Sequence, residues 1–404
     1  MKTAFYRQNA PWLGAGAVLA VSSSFGQTYF ISLFAGDIRG AFGLSDGQWG
    51  GLYTIATLAS AALLVQGGRL ADVMPLRRLM CWIVLGFAVA CFAMGAAQSV
   101  PVLLAALFAI RFCGQGMMTH LSMTAMARWF RANRGRAVAV AIMGYPVGEA
   151  VLPPLTVWSI TLIGWRGTWW LAACVLLLVV LPTLWRLMGQ PRSPEGEGDG
   201  LMAAGMLARH WSRRDMLRHW SFWALLPGIL ATNFIGTCVF FQQVHVAQTQ
   251  GWSLARMAAA YPLYAMVSVA AAFVAGHLVD RIGAVRLLPV YLLPMAVAML
   301  ILRQDGSEAI WIATLAIMGL TTGVSSTLYG TIWPTLYGTN AIGGIKAVIA
   351  SCMVMATAIG PGLTGLAIDA GVPFTAQAPV LALWCVLASI AFWPISRRLA
   401  RALP

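Results

Sequence analysis

Long apolar runs, separated by short polar stretches, recur from one end of the chain to the other. A helix needs about 20 such residues to cross a hydrocarbon core. Read with that length, the pattern predicts twelve helices, at about 11–35, 47–66, 78–98, 102–127, 136–163, 167–188, 220–246, 255–278, 285–303, 309–336, 345–369 and 375–396. Links such as Gln98-Ser99-Val100-Pro101 and Gly164-Trp165-Arg166 are too short for anything but antiparallel neighbours. Gly189 to His219 is the one long polar connection. It opens with Pro191, Pro194, Glu195, Glu197 and Asp199 and turns basic from Arg209 to Arg218. It is expected to be a linker, 189–219, ending in a helix that lies on the membrane surface. It joins six-helix bundles at 1–188 and 220–404.

Composition agrees with this reading. The 404 residues are 60% hydrophobic and 9% charged, which no ordinary soluble surface allows. The first run, continuing past Phe34, exceeds a signal-peptide core and is read as a span. A net charge of +14 could suggest nucleic acid, but placement decides against it. On the predicted topology 21 of the 26 Lys and Arg fall on one side. Only Arg39, Arg166, Arg256 and Arg303 fall opposite, and Arg111 lies within a span. This positive-inside bias expects both termini in the cytoplasm and no nucleic-acid partner. The seven cysteines lack metal-ligand spacing and read as packing residues. No phosphate-binding loop or nucleophile arrangement is present, so no catalytic residue, metal or cofactor is expected, and energy must come from a gradient.

The polar links contain a repeat. Gly68, Leu70, Asp72 and Arg78 recur as Gly276, Leu278, Asp280 and Arg286, at a constant offset of 208 residues in a chain whose half is 202. Gly-x-Leu-x-Asp followed by Arg, between the second and third spans, resembles the hairpin of the major facilitator superfamily. Pro75 departs from the family's usual glycine, whereas Gly283 keeps it. The resemblance implies an all-α membrane protein with twelve transmembrane helices in two pseudo-symmetric six-helix bundles, and transport by alternating access at a midplane site. Ala127 to Ala137, Gly144-Tyr145-Pro146-Val147-Gly148-Glu149 and Tyr337-Gly338-Thr339-Asn340 are similar to bacterial monocarboxylate-porter and oxalate–formate-exchanger members. The oxalate exchangers carry cations deep in second-half spans. Here Arg256 and Lys346 sit at span ends, which disfavours a dicarboxylate.

A charge in mid-span costs several kcal/mol and calls for a reason. Of twelve acidic residues, only Glu149 lies far from both ends of a span. Arg111 opens Arg111-Phe112-Cys113-Gly114-Gln115-Gly116, which looks like the superfamily's fourth-helix motif, and shares a helical face with Gln115, Met118 and Ser122. Height along the helices brings Arg111 and Glu149 to within about 4 Å of one level, so the two are expected to meet. Gln27, Asn233, Tyr264, Tyr329 and Trp333 complete the candidate substrate-binding set with Arg111 and Gln115. Each small polar group among them fits a helix-packing hydrogen bond equally well. Among the histidines, His120 is expected to face away from Arg111.

These readings predict a monomeric secondary transporter in the bacterial inner membrane. It would carry a small organic anion, a monocarboxylate, with protons as coupling ions. Arg111 would hold the anion and Glu149 the proton, while Asp72, Arg78, Arg134, Asp280 and Arg286 would gate the cytoplasmic side. The alternatives are a drug–proton antiporter exporting lipophilic compounds, which Gly144, Pro146 and Gly148 partly echo, and a membrane sensor without transport.

Overall fold

A computed structural model of the chain describes residues 2–68, 70–130, 134–189 and 204–403, in which no strand occurs. The chain separates into two compact units, Met1–Asp199 and Gly200–Pro404.

In the N-terminal unit, α1 runs from Phe5 to Phe42 but bends by 42° between Gly26 and Thr28. The uninterrupted helix expected over 11–35 is not found. Ser22, Ser23 and Ser24 precede Gly26, and the Ser23 hydroxyl donates to the Ala20 carbonyl at 2.7 Å. Such side chains compete with the helical ladder and mark where a helix bends. Gln27 then takes an extended conformation, φ −84° and ψ 156°. Gly43, at φ +64°, ends the helix. α2 (Asp46–Gly67) opens on a capping box between Ser45 and Gln48. α3 (Leu76–Ala96) ends under Arg166, whose Nη1 donates to the carbonyls of Gly95 at 2.8 Å and Ala97 at 2.5 Å.

α4 spans Val100–Trp129 and contains a π-helical stretch from Arg111 to Met118. The next apolar helix, Gly135–Leu187, is two passes joined at Gly164, φ +70° and ψ 171°. Ser159 and Thr168 meet across that turn at 2.9 Å, which shows that α5 (135–163) folds back on α6 (165–187). The turn sits where Gly164-Trp165-Arg166 predicts one.

In the C-terminal unit, α7 (Trp220–Phe241) is interrupted at Gln242 and continues as Gln243–Gln250. α8 covers Leu254–Ile282. α9 is only Leu293–Leu302, shorter than the expected 285–303, because Pro289 and Pro294 each remove a ladder donor. α10 (Ala309–Tyr337), α11 (Ile342–Asp369) and α12 (Phe374–Ala402) complete the unit. A Cβ at Gly319 would lie 2.9 Å from the Tyr264 carbonyl, and one at Gly323 would overlap the Ser268 carbonyl. Small residues therefore let α8 and α10 meet backbone to backbone. At the start of α10 the Glu308 carboxylate accepts from the Ser253 amide and Arg256, both at 3.0 Å. The Ser253 N–H, and then the Arg256 charge, hold its pKa below the usual carboxyl range.

The expected fold class is thus found, with twelve helical passes in two units among the described residues.

Candidate functional site

Arg111 is fully buried inside the N-terminal unit. Its Nη1 donates to the Gly26 carbonyl at 2.9 Å, at the break of α1, and its Nε donates to Thr57 Oγ1 at 3.2 Å, on α2. The guanidinium carbon lies 4.8 Å from the centre of the Tyr53 ring, one helical turn before Thr57. Nη2 is buried and has no hydrogen-bond partner. These contacts are to neutral groups only. A lone cation held by neutral acceptors in the middle of a membrane helix is a costly arrangement.

Backbone geometry places this cation. A Cβ at Gly26 would lie 2.8 Å from the Gly114 Cα, the Gln115 nitrogen and the Ile110 carbonyl oxygen. The bend of α1 is thus seated directly on the π-helical stretch of α4. Isolated π turns occur often at functional positions, because they aim side chains that a regular helix would not. They also disturb the regular face expected for Arg111, Gln115, Met118 and Ser122. Gln115 is half-buried and Met118 is buried. Ser122 instead donates to the Gly16 carbonyl of α1 at 2.8 Å.

Glu149 does not meet Arg111. It lies half-buried on α5 with no ion pair, beside Tyr145 one turn earlier. Tyr145 donates to Thr119 Oγ1 at 2.5 Å. Equal height along two helices does not make their side chains face one another. The buried contacts of Arg111 with α1 and α2 hold the guanidinium toward those helices instead. Gly148 packs against Ser24, whose hydroxyl is buried without a partner. Near these residues α1, α5 and α6 border a mainly apolar cleft of about 300 Å³, open to the surface of the unit, with Phe25, Phe30, Leu155, Trp158, Thr168 and Leu171 on its walls.

The remaining candidates divide between the units. Gln27 is half-buried in the extended turn of α1. In the C-terminal unit, Asn233 Nδ2 and the Tyr329 hydroxyl both donate to the Ile229 carbonyl, at 3.0 and 3.1 Å, so these two converge. The Tyr291 hydroxyl lies 3.3 Å from that of Tyr329 and donates to the Gly228 carbonyl at 2.9 Å. Tyr264 is buried and donates to Thr322 at 3.2 Å, about two turns away from Tyr329 along α10. Trp333 is buried and stacks on Tyr337 with 6° between the ring planes. It belongs to the aromatic packing at that end of the unit.

Of the gating candidates, Arg78, Asp280 and Arg286 are exposed. The side chains of Asp72 and Arg134 lie outside the described residues, as does the linker stretch 190–203. The first hairpin is held by α4. Arg128 Nη1 donates to the Ala71 carbonyl at 2.5 Å, and His120 lies against Gly68, 3.3 Å from where a Cβ would stand. Sequence reasoning missed Tyr53, Thr57, Tyr291 and the free Ser24 hydroxyl. Tyr53 and Thr57 carried a signal, since with Ser60 they put polar groups at helical spacing on one face of a mainly apolar helix. Tyr291 carried none apart from its place between two prolines.

The profile of the Major Facilitator Superfamily matches residues 16–302 and 238–404. The chain belongs to the Major Facilitator Superfamily. It is accordingly an integral membrane protein and a transporter, not an enzyme. An uncharacterized 38 kDa protein in the 23S RNA operon of Thermoproteus tenax is 27% identical over 346 residues, 82% of this chain and 85% of that one. Among solved structures, a bacterial homologue of the human lysosomal transporter Spinster, inward-facing and unoccupied, superposes with a TM-score of 0.75. It is 16% identical and 98% of each chain is covered. The POT family transporter PepTSo superposes with a TM-score of 0.70 at 14% identity, again over 98% of each chain. At these identities the structural likeness concerns the fold. It does not place the chain in the monocarboxylate or oxalate–formate branch.

Proposed function

We propose that this superfamily member is a proton-coupled transporter of a small organic anion, a monocarboxylate, in the bacterial cytoplasmic membrane with both termini inside. The observation that carries the reading is Arg111, a wholly buried guanidinium with one free donor, Nη2, and no carboxylate among its partners. A carboxylate delivered to Nη2 would supply the missing charge, and a guanidinium offers a planar fork for it. Glu149 is half-buried in mid-helix without a cation and is the proton carrier in this reading. The two would act on ligand and proton as neighbours in one unit, without direct contact. Gln115 and Gln27 flank Arg111 in sequence and at the break. Asn233, Tyr329, Tyr264 and Trp333 are the substrate-binding candidates of the C-terminal unit. Asp72, Arg78, Arg134, Asp280 and Arg286 would gate. The placement of 21 of the 26 basic residues supports the orientation.

The test uses purified protein in sealed vesicles. An imposed pH gradient should concentrate a labelled short monocarboxylate such as lactate, and a protonophore should abolish the effect. Glu149→Gln should lose gradient-driven accumulation while keeping exchange of labelled for unlabelled substrate. Normal accumulation by Glu149→Gln would remove the coupling role. A second reading, export of lipophilic compounds in exchange for protons, draws on the apolar cleft beside Phe25 and Trp158. It gains if lipophilic cations move against the gradient and short carboxylates neither move nor compete.

A further inference from the structure

The segment from residue 204 to His219 folds as a strap against the C-terminal unit, and its two sides differ in chemistry. Met206, Trp211 and Met216 are buried. Trp211 Nε1 donates to the Met206 carbonyl at 3.1 Å, and its ring meets Tyr337 edge-on at 5.5 Å. A Cβ at Gly205 would lie 2.5 Å from the Gly338 nitrogen, so the strap begins in backbone contact with the end of α10. Ser212 and Asp215 form a capping box that starts the short helix Arg213–Arg218. These anchors turn Arg209, Arg213, Arg214 and Arg218 outward, and all four are exposed.

Two further arginines lie at the same end. Arg398 of α12 stands over the Trp220 ring at 4.5 Å, and Arg397 over the Trp393 ring at 5.0 Å. Both are exposed. Burial, and then the charges of Arg209 and Arg398, push the His219 imidazole below its usual pKa, so the two basic groups crowd one spot. Asp215 is the one acid of the described strap, and its carboxylate is engaged by Ser212 and by Arg209 at 3.6 Å. Trp223 and Trp393 are 57% and 55% exposed. Exposed tryptophans at helix ends mark headgroup depth, where an indole is half solvated.

We propose that the outer face of this strap and the end of α12 form a binding surface for the headgroups of anionic phospholipids. The positive-inside bias explains why basic residues gather on this side of the membrane. It does not explain a strap that buries Met206, Trp211 and Met216 as anchors and leaves four arginines, with Leu207, on its outer face. Arginine forks match phosphate oxygens, and an anionic leaflet attracts each basic residue near its surface. The inference rests on membrane embedding and is independent of what the protein transports.

The experiment takes full-length protein, stripped of lipid in neutral detergent, and counts retained phosphatidylglycerol and phosphatidylcholine by native mass spectrometry. Phosphatidylglycerol should be preferred by about tenfold or more. The preference should vanish when Arg209, Arg213, Arg214 and Arg218 are all changed to Gln, and persist when all four are changed to Lys. Phosphatidylglycerol should also raise the pKa of His219, read by NMR, by screening Arg209 and Arg398. This reading needs no variant and survives a Gln set that fails to fold. Equal retention of the two lipids by the unaltered protein would overturn the proposal. So would an unchanged preference in a folded Gln set, or displacement of the lipid by millimolar inorganic phosphate, which would mark a site for soluble anions.

Discussion

The two units share a hairpin at an offset of 208 residues, yet their interiors are built from different chemistry. In the N-terminal unit the centre is a buried cation on a π-helical turn, facing a broken helix. At the same offset Arg111 falls on Gly319, where α10 is regular and pressed against the α8 backbone. The buried polar side chains of the C-terminal unit are, among the described residues, neutral hydroxyls and amides. Tyr329 and Asn233 share the Ile229 carbonyl, and the Tyr261 hydroxyl donates to Gln243 at 2.9 Å. Duplication has therefore kept the hairpin and let the cores diverge. One unit buries a charge at the expense of helical regularity, and the other has close packing and, among the described residues, no buried charge.

The strongest way to break this comparison is to move the charge. Gly319→Arg would put a side chain 2.9 Å from the Tyr264 carbonyl and a cation into a helix with no acceptor arranged for it. Insertion alone costs about 2.5–3.5 kcal/mol at mid-membrane, before any clash. The expected outcome is little or no folded protein in the membrane fraction, measured by size-exclusion profile. Near-normal yield would mean that the units are more interchangeable than their interiors suggest. Next in size is Arg111→Lys. It keeps the charge, but its three donors sit on one nitrogen and cannot reach Gly26, Thr57 and a ligand in the directions that the planar guanidinium reaches with Nη1, Nε and Nη2, so monocarboxylate affinity should fall by about tenfold or more. Binding calorimetry that shows no change would remove Arg111 from the site. The smallest effect is expected for Tyr329→Phe, which loses the neutral hydrogen bonds of one hydroxyl, to the Ile229 carbonyl and to Tyr291, each worth about 1 kcal/mol. Asn233 still covers the Ile229 carbonyl. The melting temperature should drop by a few degrees, with substrate affinity reduced no more than severalfold.

The passes of this fold were legible because burial in lipid forces every span to satisfy its own backbone, and apolar length reports that directly. The Gly164 turn was legible for the same reason. Helix interruptions were less so, since they depend on what lies across from them. Ser22-Ser23-Ser24 and Gly26 hint at a bend, but the bend holds because Gly114 and Arg111 meet it. Arg111 itself stood out as a cation in an apolar run. Its partners did not, because its side chain follows a π turn that periodicity cannot reveal, and so the expected meeting with Glu149 fails. Asn233 and Tyr329 each stand out in the sequence as a polar residue in an apolar run. That they converge on one carbonyl is a fact of tertiary structure between helices almost a hundred residues apart.

The π-helical stretch has a consequence for how α4 can change over time. A helix of uniform pitch is a rigid screw, so turning one end turns the other. Eight residues with wider turns act as a phase adjuster between two screws. The segment beyond it can therefore keep Arg128 on the Ala71 carbonyl and Ser122 on Gly16, whatever the segment before it requires. The facing of the segment that steadies the hairpin and the facing of Arg111 are thereby set separately, by an offset that a regular helix would not give. A single residue gained or lost within 111–118 would shift that offset by about 100° in one step.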